Sequence, residues 1–264
     1  MTRRSLIGAI QESRNTIPLN KLFLRDVMLA IEKRNELNTH NSSLYYKPSS
    51  CVCLRQMYFM RVGEDVDIGN NPYNGIGMAD TGTRRHVAIQ EVLEEMPHLG
   101  FNWEYIDVEE YVNMKKAEGK LPNIVVKGKK GAETKLADES LHVSFMCDGI
   151  LKNKSTGKYY LFEFKNQASF KYNGKTCVDP DHVKQVTQYC MLLDLSECLV
   201  LYENRDTCML ECPELLIVTD AMKQEQLDRL LECENYVENR VVPPKHPNTS
   251  PCKWCKYVSK CKDN

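Results

Sequence analysis

Positions 141–165 constrain this chain more tightly than any other stretch, because they read as two strands doubling back through a turn. Residues 141–151 and 158–165 are strand-like apolar runs, and Lys152-Asn153-Lys154-Ser155-Thr156-Gly157 between them has turn chemistry. Along a strand, residues two apart point to the same face. Glu163 and Lys165 therefore project together, while Phe162 and Phe164 go to the opposite, buried face. A hairpin brings Asp148, in Phe145-Met146-Cys147-Asp148-Gly149-Ile150, alongside them.

Two carboxylates at one spot repel each other unless a cation joins them, and oxygen ligands of this kind suit Mg²⁺ or Mn²⁺. A nearby lysine can position a water, deprotonate it as the neutral amine, or balance charge on a phosphate as the ammonium, so the set suits metal-assisted phosphodiester hydrolysis. A surface strand with alternating charges would give the same Glu-x-Lys, and the flanking segments decide between the two. Upstream, Gly82-Thr83-Arg84-Arg85-His86 places a histidine on a predicted helix. Downstream, Gln185 and Tyr189 are four apart on another predicted helix and share one face.

The rest of the chain reads as helix over 18–37, a polar break at 38–43, and Pro48-Ser49-Ser50, whose serines could cap a short helix in the segment Cys51-Val52-Cys53-Leu54-Arg55-Gln56-Met57-Tyr58-Phe59. Residues 69–77, rich in Gly and Asn, read as loop and 81–95 as helix. Strands are expected at 105–112, 198–202 and 208–218, and helices at 181–193 and 221–240. The Pro-rich link 241–251 then leads to a short cysteine-bearing tail. The order of elements is that of a mixed α/β fold with a sheet wrapped by helices.

Twelve cysteines stand out in an otherwise ordinary composition of 42% hydrophobic and 27% charged residues. With no apolar run long enough to span a bilayer and no secretory signal after Arg3 and Arg4, the expectation is a cytoplasmic protein with no membrane partner. There, clustered cysteines bind metal more often than they form disulfides. Cys252, Cys255 and Cys261 form such a cluster and need a fourth ligand. Cys53 and Cys51 are both candidates, and His246 would instead complete a local zinc site. The net charge of −1 excludes a cationic coat but not a local basic groove. The segment 115–135 carries seven lysines, at 115, 116, 120, 127, 129, 130 and 135, against Glu118 and Glu133, and reads as a solvated hairpin insertion or a phosphate-facing patch.

The order G-x-x-x-H, D, E-x-K, Q-x-x-x-Y resembles the RecB-like branch of the PD-(D/E)XK nucleases, from about Cys53 to the C-terminus. The resemblance implies a restriction-endonuclease-like core with a mixed sheet flanked by helices. It implies metal ligation by His86, Asp148, Glu163 and the Phe164 carbonyl, with Lys165, Gln185 and Tyr189 completing the catalytic set. Cys53-Leu54-Arg55-Gln56-Met57-Tyr58 also matches the C-x-R-x-x-Y pattern of iron–sulfur members of that branch, among them the CRISPR-associated family-four adaptation nucleases and the AddB subunit. On that likeness Cys53, Cys252, Cys255 and Cys261 hold a [4Fe–4S] cluster joining the two ends of the chain. The domains would then be an N-terminal helical segment at 1–50, a nuclease core at 51–240 and an iron–sulfur segment at 241–264.

The implied activity is Mg²⁺- or Mn²⁺-dependent DNA hydrolysis by an exonuclease, with single-stranded DNA favoured and endonuclease action as a second mode. The implied setting is recombination, repair or CRISPR adaptation, with a viral or mobile-element origin compatible with so compact a chain. Arg55, Arg84, Arg85 and Tyr58 are the expected DNA contacts. No helicase motif is present, so unwinding would need a partner. The alternatives are a non-cutting DNA- or protein-binding module on the same fold and a zinc-stabilised interaction protein.

Overall fold

The computed structural model describes residues 18–37, 44–51, 53–64, 66, 73–130, 133–172, 175–247, 252 and 255–263. These fall into two compact units. In the smaller, helix α1 (Leu19–Leu37) offers Glu32, whose carboxylate accepts a hydrogen bond from the Tyr73 amide at 3.1 Å. That amide opens helix α3 (Tyr73–Glu95), which passes into the larger unit from Gly82 onward. The helix begins inside the segment expected to be loop, and Gly75 and Gly77 lie within it. The expected break at 38–43 lies outside the described residues, as do residues 69–72 and the link at 248–251.

The larger unit is built on a mixed sheet. Strands β1 (Trp103–Ile106), β5 (Gly149–Asn153), β6 (Tyr159–Gln167) and β7 (Glu197–Asn204) lie side by side in that order. Short strands β8 (Leu210–Glu211) and β9 (Leu216–Ile217) both pair with β7. The β5–β6 junction is the expected antiparallel hairpin, with Gly149 opposite Phe162. The β6–β7 junction is parallel and is reached through α5 (Ser169–Tyr172) and α6 (Pro180–Leu192), because a parallel partner needs a crossover. A second sheet, β2 (Ile124–Lys130), β3 (Glu133–Asp138) and β4 (Val143–Phe145), is antiparallel throughout.

Three strand expectations change. Residues 105–112 are not one strand: β1 stops at Ile106 and helix α4 (Val108–Ala117) begins. Asp107 sets that boundary, because its carboxylate accepts from the amides of Glu109 and Glu110 and caps the helix. The run 141–151 is divided into β4 and β5, with Asp148 in the bend between them. The run 208–218 holds only β8 and β9 at its two ends.

Both faces of β6 are covered, which is why Leu161, Phe162, Glu163 and Phe164 are all buried. Phe162 and Phe164 pack with Ile89 and Leu93 of α3, and Leu161 joins the main core with Val186 and Val200. Helix α7 (Asp220–Glu238), capped by Thr219, packs on α6 and on α2 (Leu54–Arg61). The chain ends in α8 (Val258–Asp263). Among the described residues, no helix is long and apolar enough to cross a membrane.

Candidate functional site

The bend between β4 and β5 delivers Asp148, and its surroundings leave it little freedom. The Tyr105 ring lies over Gly149, where an added Cβ would meet Cε2 at 2.2 Å. The Tyr105 hydroxyl donates to the Asp148 carbonyl at 3.2 Å. The Asp148 side chain is held from two further directions: Oδ2 accepts from the Phe164 amide at 2.7 Å, and Oδ1 lies 3.0 Å from His86 Nδ1. The His86 ring sits edge-on to Phe164, with centroids 4.9 Å apart. The structure thus brings the upstream histidine, the aspartate and the E-x-K strand together.

Glu163 projects to the α6 side of β6. Its Oε1 accepts from Lys165 Nζ at 2.7 Å and from Gln185 Nε2 at 3.1 Å. Gln185 also accepts from Lys165 at 3.0 Å and donates to the Tyr189 hydroxyl at 2.9 Å. Tyr189 is buried and stacks on Phe145, so it orients Gln185 rather than meeting a ligand directly. Glu163 is only 3% exposed, yet its Oε2 has no hydrogen-bond partner. An orphaned buried carboxylate oxygen costs ~1–3 kcal/mol or more, and a cation is a partner that removes that cost.

Charge follows the same geometry. Burial, then the neighbouring Asp148, raises the Glu163 carboxyl to about 7. Burial opposes the charged form of Lys165, but Glu163 and Asp148 outweigh it and the ammonium ends above its usual range. In this arrangement the Lys165 ammonium can hold a phosphate oxygen or protonate a leaving group. For His86, burial works against the proton, while Asp148, Glu163 and Glu133 more than restore it.

Glu133, at the start of β3, stands in the sequence only as a countercharge among lysines. Its carboxylate, His86 and Asp148 have ligand atoms all within 4.8 Å of one another. A cue lay in strand register, which becomes readable only once β3 and β4 are known to pair. His86, Glu133 and Asp148, with the orphaned Glu163 carboxylate, would hold a divalent cation, which would supply Lewis-acid polarisation and water activation there.

The four cysteines assigned to the second centre lie within electrostatic reach of one another. Burial pushes Cys53 up, and Cys252 and Cys261 push it further; Cys255 is raised by burial and then by Cys53, Cys252 and Cys261. Cys53 caps α2, its sulfur accepting from the Gln56 amide at 3.4 Å. Helix N-termini favour anionic sulfur. Cys51 is different: it is buried, donates to the Lys47 carbonyl at 3.1 Å and is pushed to about 12 by burial. It packs rather than joins the group.

The expected DNA contacts separate. Arg55 is 6% exposed and donates to the Pro243 carbonyl at 2.8 Å, the Cys261 carbonyl at 3.3 Å and the Cys261 sulfur at 3.6 Å. It ties α2 to the C-terminal segment and is not presented to a nucleic-acid strand. Tyr58 is likewise core, packed edge-on to Phe59. Arg85 grips the buried Glu203 through Nε at 3.0 and 3.1 Å. Arg84 is exposed. The lysine-rich segment is no single hairpin, since it begins in α4. Lys115, Lys120, Lys127 and Lys129 pair with Glu118, Asp194, Glu139 and Asp107, which leaves less charge for a phosphate backbone than the lysine count suggests.

Among solved structures, the chain is similar to SSO0001, with 14% identity, a TM-score of 0.49, and coverage of 91% of this chain and 97% of that one. It is also similar to an alkaline exonuclease, LHK-Exo, from Laribacter hongkongensis, with 11% identity, a TM-score of 0.43, and coverage of 84% and 95%. LHK-Exo in complex with dAMP gives 12% identity, a TM-score of 0.43, and coverage of 75% and 90%. No family model matches the chain, and no curated protein matches it in sequence.

Proposed function

We propose that this chain is a divalent-metal-dependent deoxyribonuclease of the RecB-like PD-(D/E)XK kind. The observation that carries the reading is the orphaned, buried Oε2 of Glu163, in a site where Asp148 and His86 face Glu163 and the charged Lys165 lies beside it. Asp148, Glu163, His86 and the Phe164 carbonyl hold Mg²⁺ or Mn²⁺. Lys165 balances charge on the scissile phosphate, Gln185 fixes Lys165 and Glu163, and Tyr189 fixes Gln185. Arg84 is the strongest remaining candidate for a strand contact. The favoured mode is exonucleolytic on single-stranded DNA, within recombination, repair or CRISPR adaptation. In the same reading, Cys53, Cys252, Cys255 and Cys261 hold a [4Fe–4S] cluster.

Digestion of end-labelled single- and double-stranded DNA with Mg²⁺ or Mn²⁺ tests this. Cleavage should need the metal and fall by at least ~100-fold in Asp148→Asn and Glu163→Gln, as expected when a metal ligand is lost. DNA binding should survive, because phosphate contacts come from other groups. Metal-independent cleavage, or either variant cutting at the wild-type rate, overturns the assignment. Binding without cleavage in the wild type selects the non-cutting module.

A further inference from the structure

We propose that Phe170 is a stacking platform for an unpaired base of the DNA strand, set on a rigid ledge at the carboxyl ends of β6 and β7. The inference rests on the deoxyribonuclease reading above and deepens it, because it names what would make a single strand the better substrate. Phe170 lies in the short helix α5, five residues beyond Lys165. Its ring is 79% exposed, whereas Tyr172 in the same turn is buried. Lone apolar side chains on a surface are ordinary. This one differs in how firmly its turn is held and in what surrounds it.

The turn that carries Phe170 is tied to the turn that follows β7. The Ser169 amide donates to Asp206 Oδ2 at 3.0 Å, and the Ser169 hydroxyl lies within hydrogen-bond reach of both Asp206 and Asn204. The Arg205 amide donates to the Gln167 carbonyl at 2.7 Å. Asn204 is buried, and its Oδ1 also accepts from the Asp206 amide at 2.9 Å, so one side chain holds both turns. The half-buried Arg205 is fixed as well: Nε donates to Asn166 Oδ1 at 2.8 Å and Nη2 to the Asn166 carbonyl at 3.1 Å. Asn166 follows Lys165 directly, which couples the ledge to the E-x-K strand. Lys171, next to Phe170, is exposed, and the local countercharge Asp206 is turned to Ser169. An apolar ring between two cations suits a polyanion with flat apolar faces. A paired base shows a protein only its edges, whereas an unpaired one can lay its face on a ring. Strands β6 and β7 run parallel, and ligands gather outside the carboxyl ends of parallel strands. At a rise of about 3.3 Å per residue, β6 carries the chain roughly 7 Å beyond Lys165 before the ledge begins, toward a nucleotide neighbouring the scissile phosphate.

Binding titrations of the full-length protein in CaCl₂ read the ledge without any assay of cleavage. The probes are a short labelled single-stranded oligonucleotide, a strand of the same length with every base removed, and a blunt duplex. Phe170→Ala should weaken binding of the base-bearing strand by about 5- to 150-fold, the range for losing one stacked base. The same variant should bind the base-free strand and the duplex as wild type does, because phosphate contacts are untouched. Phe170→Trp should keep wild-type affinity for the base-bearing strand. An equal loss on base-bearing and base-free strands overturns the stacking role, as does no loss on either, or a Phe170→Trp variant that binds as weakly as Phe170→Ala. If Phe170→Ala binds every probe as wild type does while cleavage still needs metal and is lost in Asp148→Asn, the ledge fails and the proposed function stands. If the wild type binds neither strand nor duplex, both fail.

Discussion

At Gly149 a single methyl group would run into the Tyr105 ring, whose hydroxyl holds the Asp148 carbonyl. Gly149→Ala should therefore cost about 1–3 kcal/mol of stability, the usual range for overpacking a core site, and should disturb Asp148 as well. Adding Tyr105→Leu should recover part of the loss, so the double variant should be less unstable than the sum of the singles in denaturant titrations. Additive losses would mean the ring is not the obstacle. His182 offers a second test at this scale. Burial, then Lys165, lowers its pKa to about 4, with Lys175 adding to the shift and Asp179 and Asp181 opposing it. Its ring nitrogen lies 2.9 Å from the Tyr202 hydroxyl. Because the folded value lies below the unfolded one, its contribution is complete above about pH 6.5 and is lost as pH falls toward 4. Over that window it amounts to up to ~3 kcal/mol. Denaturant melts of His182→Gln should show a shallower acid loss than wild type, and equal slopes would mean that burial does not keep His182 neutral.

Helix α2 shows where local reading succeeds and where it stops. Its Cys53 starts a short pattern that the sequence displays, but the cap expected from Ser49 or Ser50 falls on Cys53 instead, because the 48–50 turn closes before the helix begins. Local reading succeeds for Glu163 with Lys165 and for Gln185 with Tyr189, where a two- or four-residue period decides which side chains share a face. The burial of Arg55 is not legible locally, because its partners, Pro243 and Cys261, lie nearly the whole chain away and no local rule tells an outward arginine from a buried one. The same distance hides the placement of Glu133 beside His86 and Asp148. The run 105–112 carries two conflicting signals: its apolar spacing suggests a strand, while Asp107, followed by Glu109 and Glu110, marks the helix start that the structure adopts. Protein purified without oxygen should contain about four irons per chain, and Cys53→Ser should lose them while Cys51→Ser keeps them. Stoichiometric zinc in place of iron, or iron retained in Cys53→Ser, would remove the cluster assignment. Arg55→Ala should lower iron retention without entering the ligand set, because it removes donors to the Cys261 carbonyl and sulfur.

Across the whole molecule, the Cys53–Cys261 pairing would close a loop that holds both sheets. For a covalent link, chain-entropy reasoning gives about 5 kcal/mol at loops of that order, and this is an upper bound for a cluster. Cys252→Ser should therefore lower the melting temperature of the protein as well as its iron content, and an unchanged melting temperature would limit the cluster to a local role. Strand β6 carries a further asymmetry. It meets β5 across the short turn at 154–158 but reaches β7 only after residues 168–196 have crossed over. Short closures form first, and distant ones wait until their loop entropy is overcome. On that ordering, Asp148 and Glu163 should come together on a hairpin that is still wet, before α6 brings Gln185 and seals them from water, and their mutual repulsion should be weak at that stage and grow when the crossover docks. During refolding, amide protection should accordingly appear in β5 and the first half of β6 before it appears in β7, and the late step should slow as pH rises and Glu163 ionises.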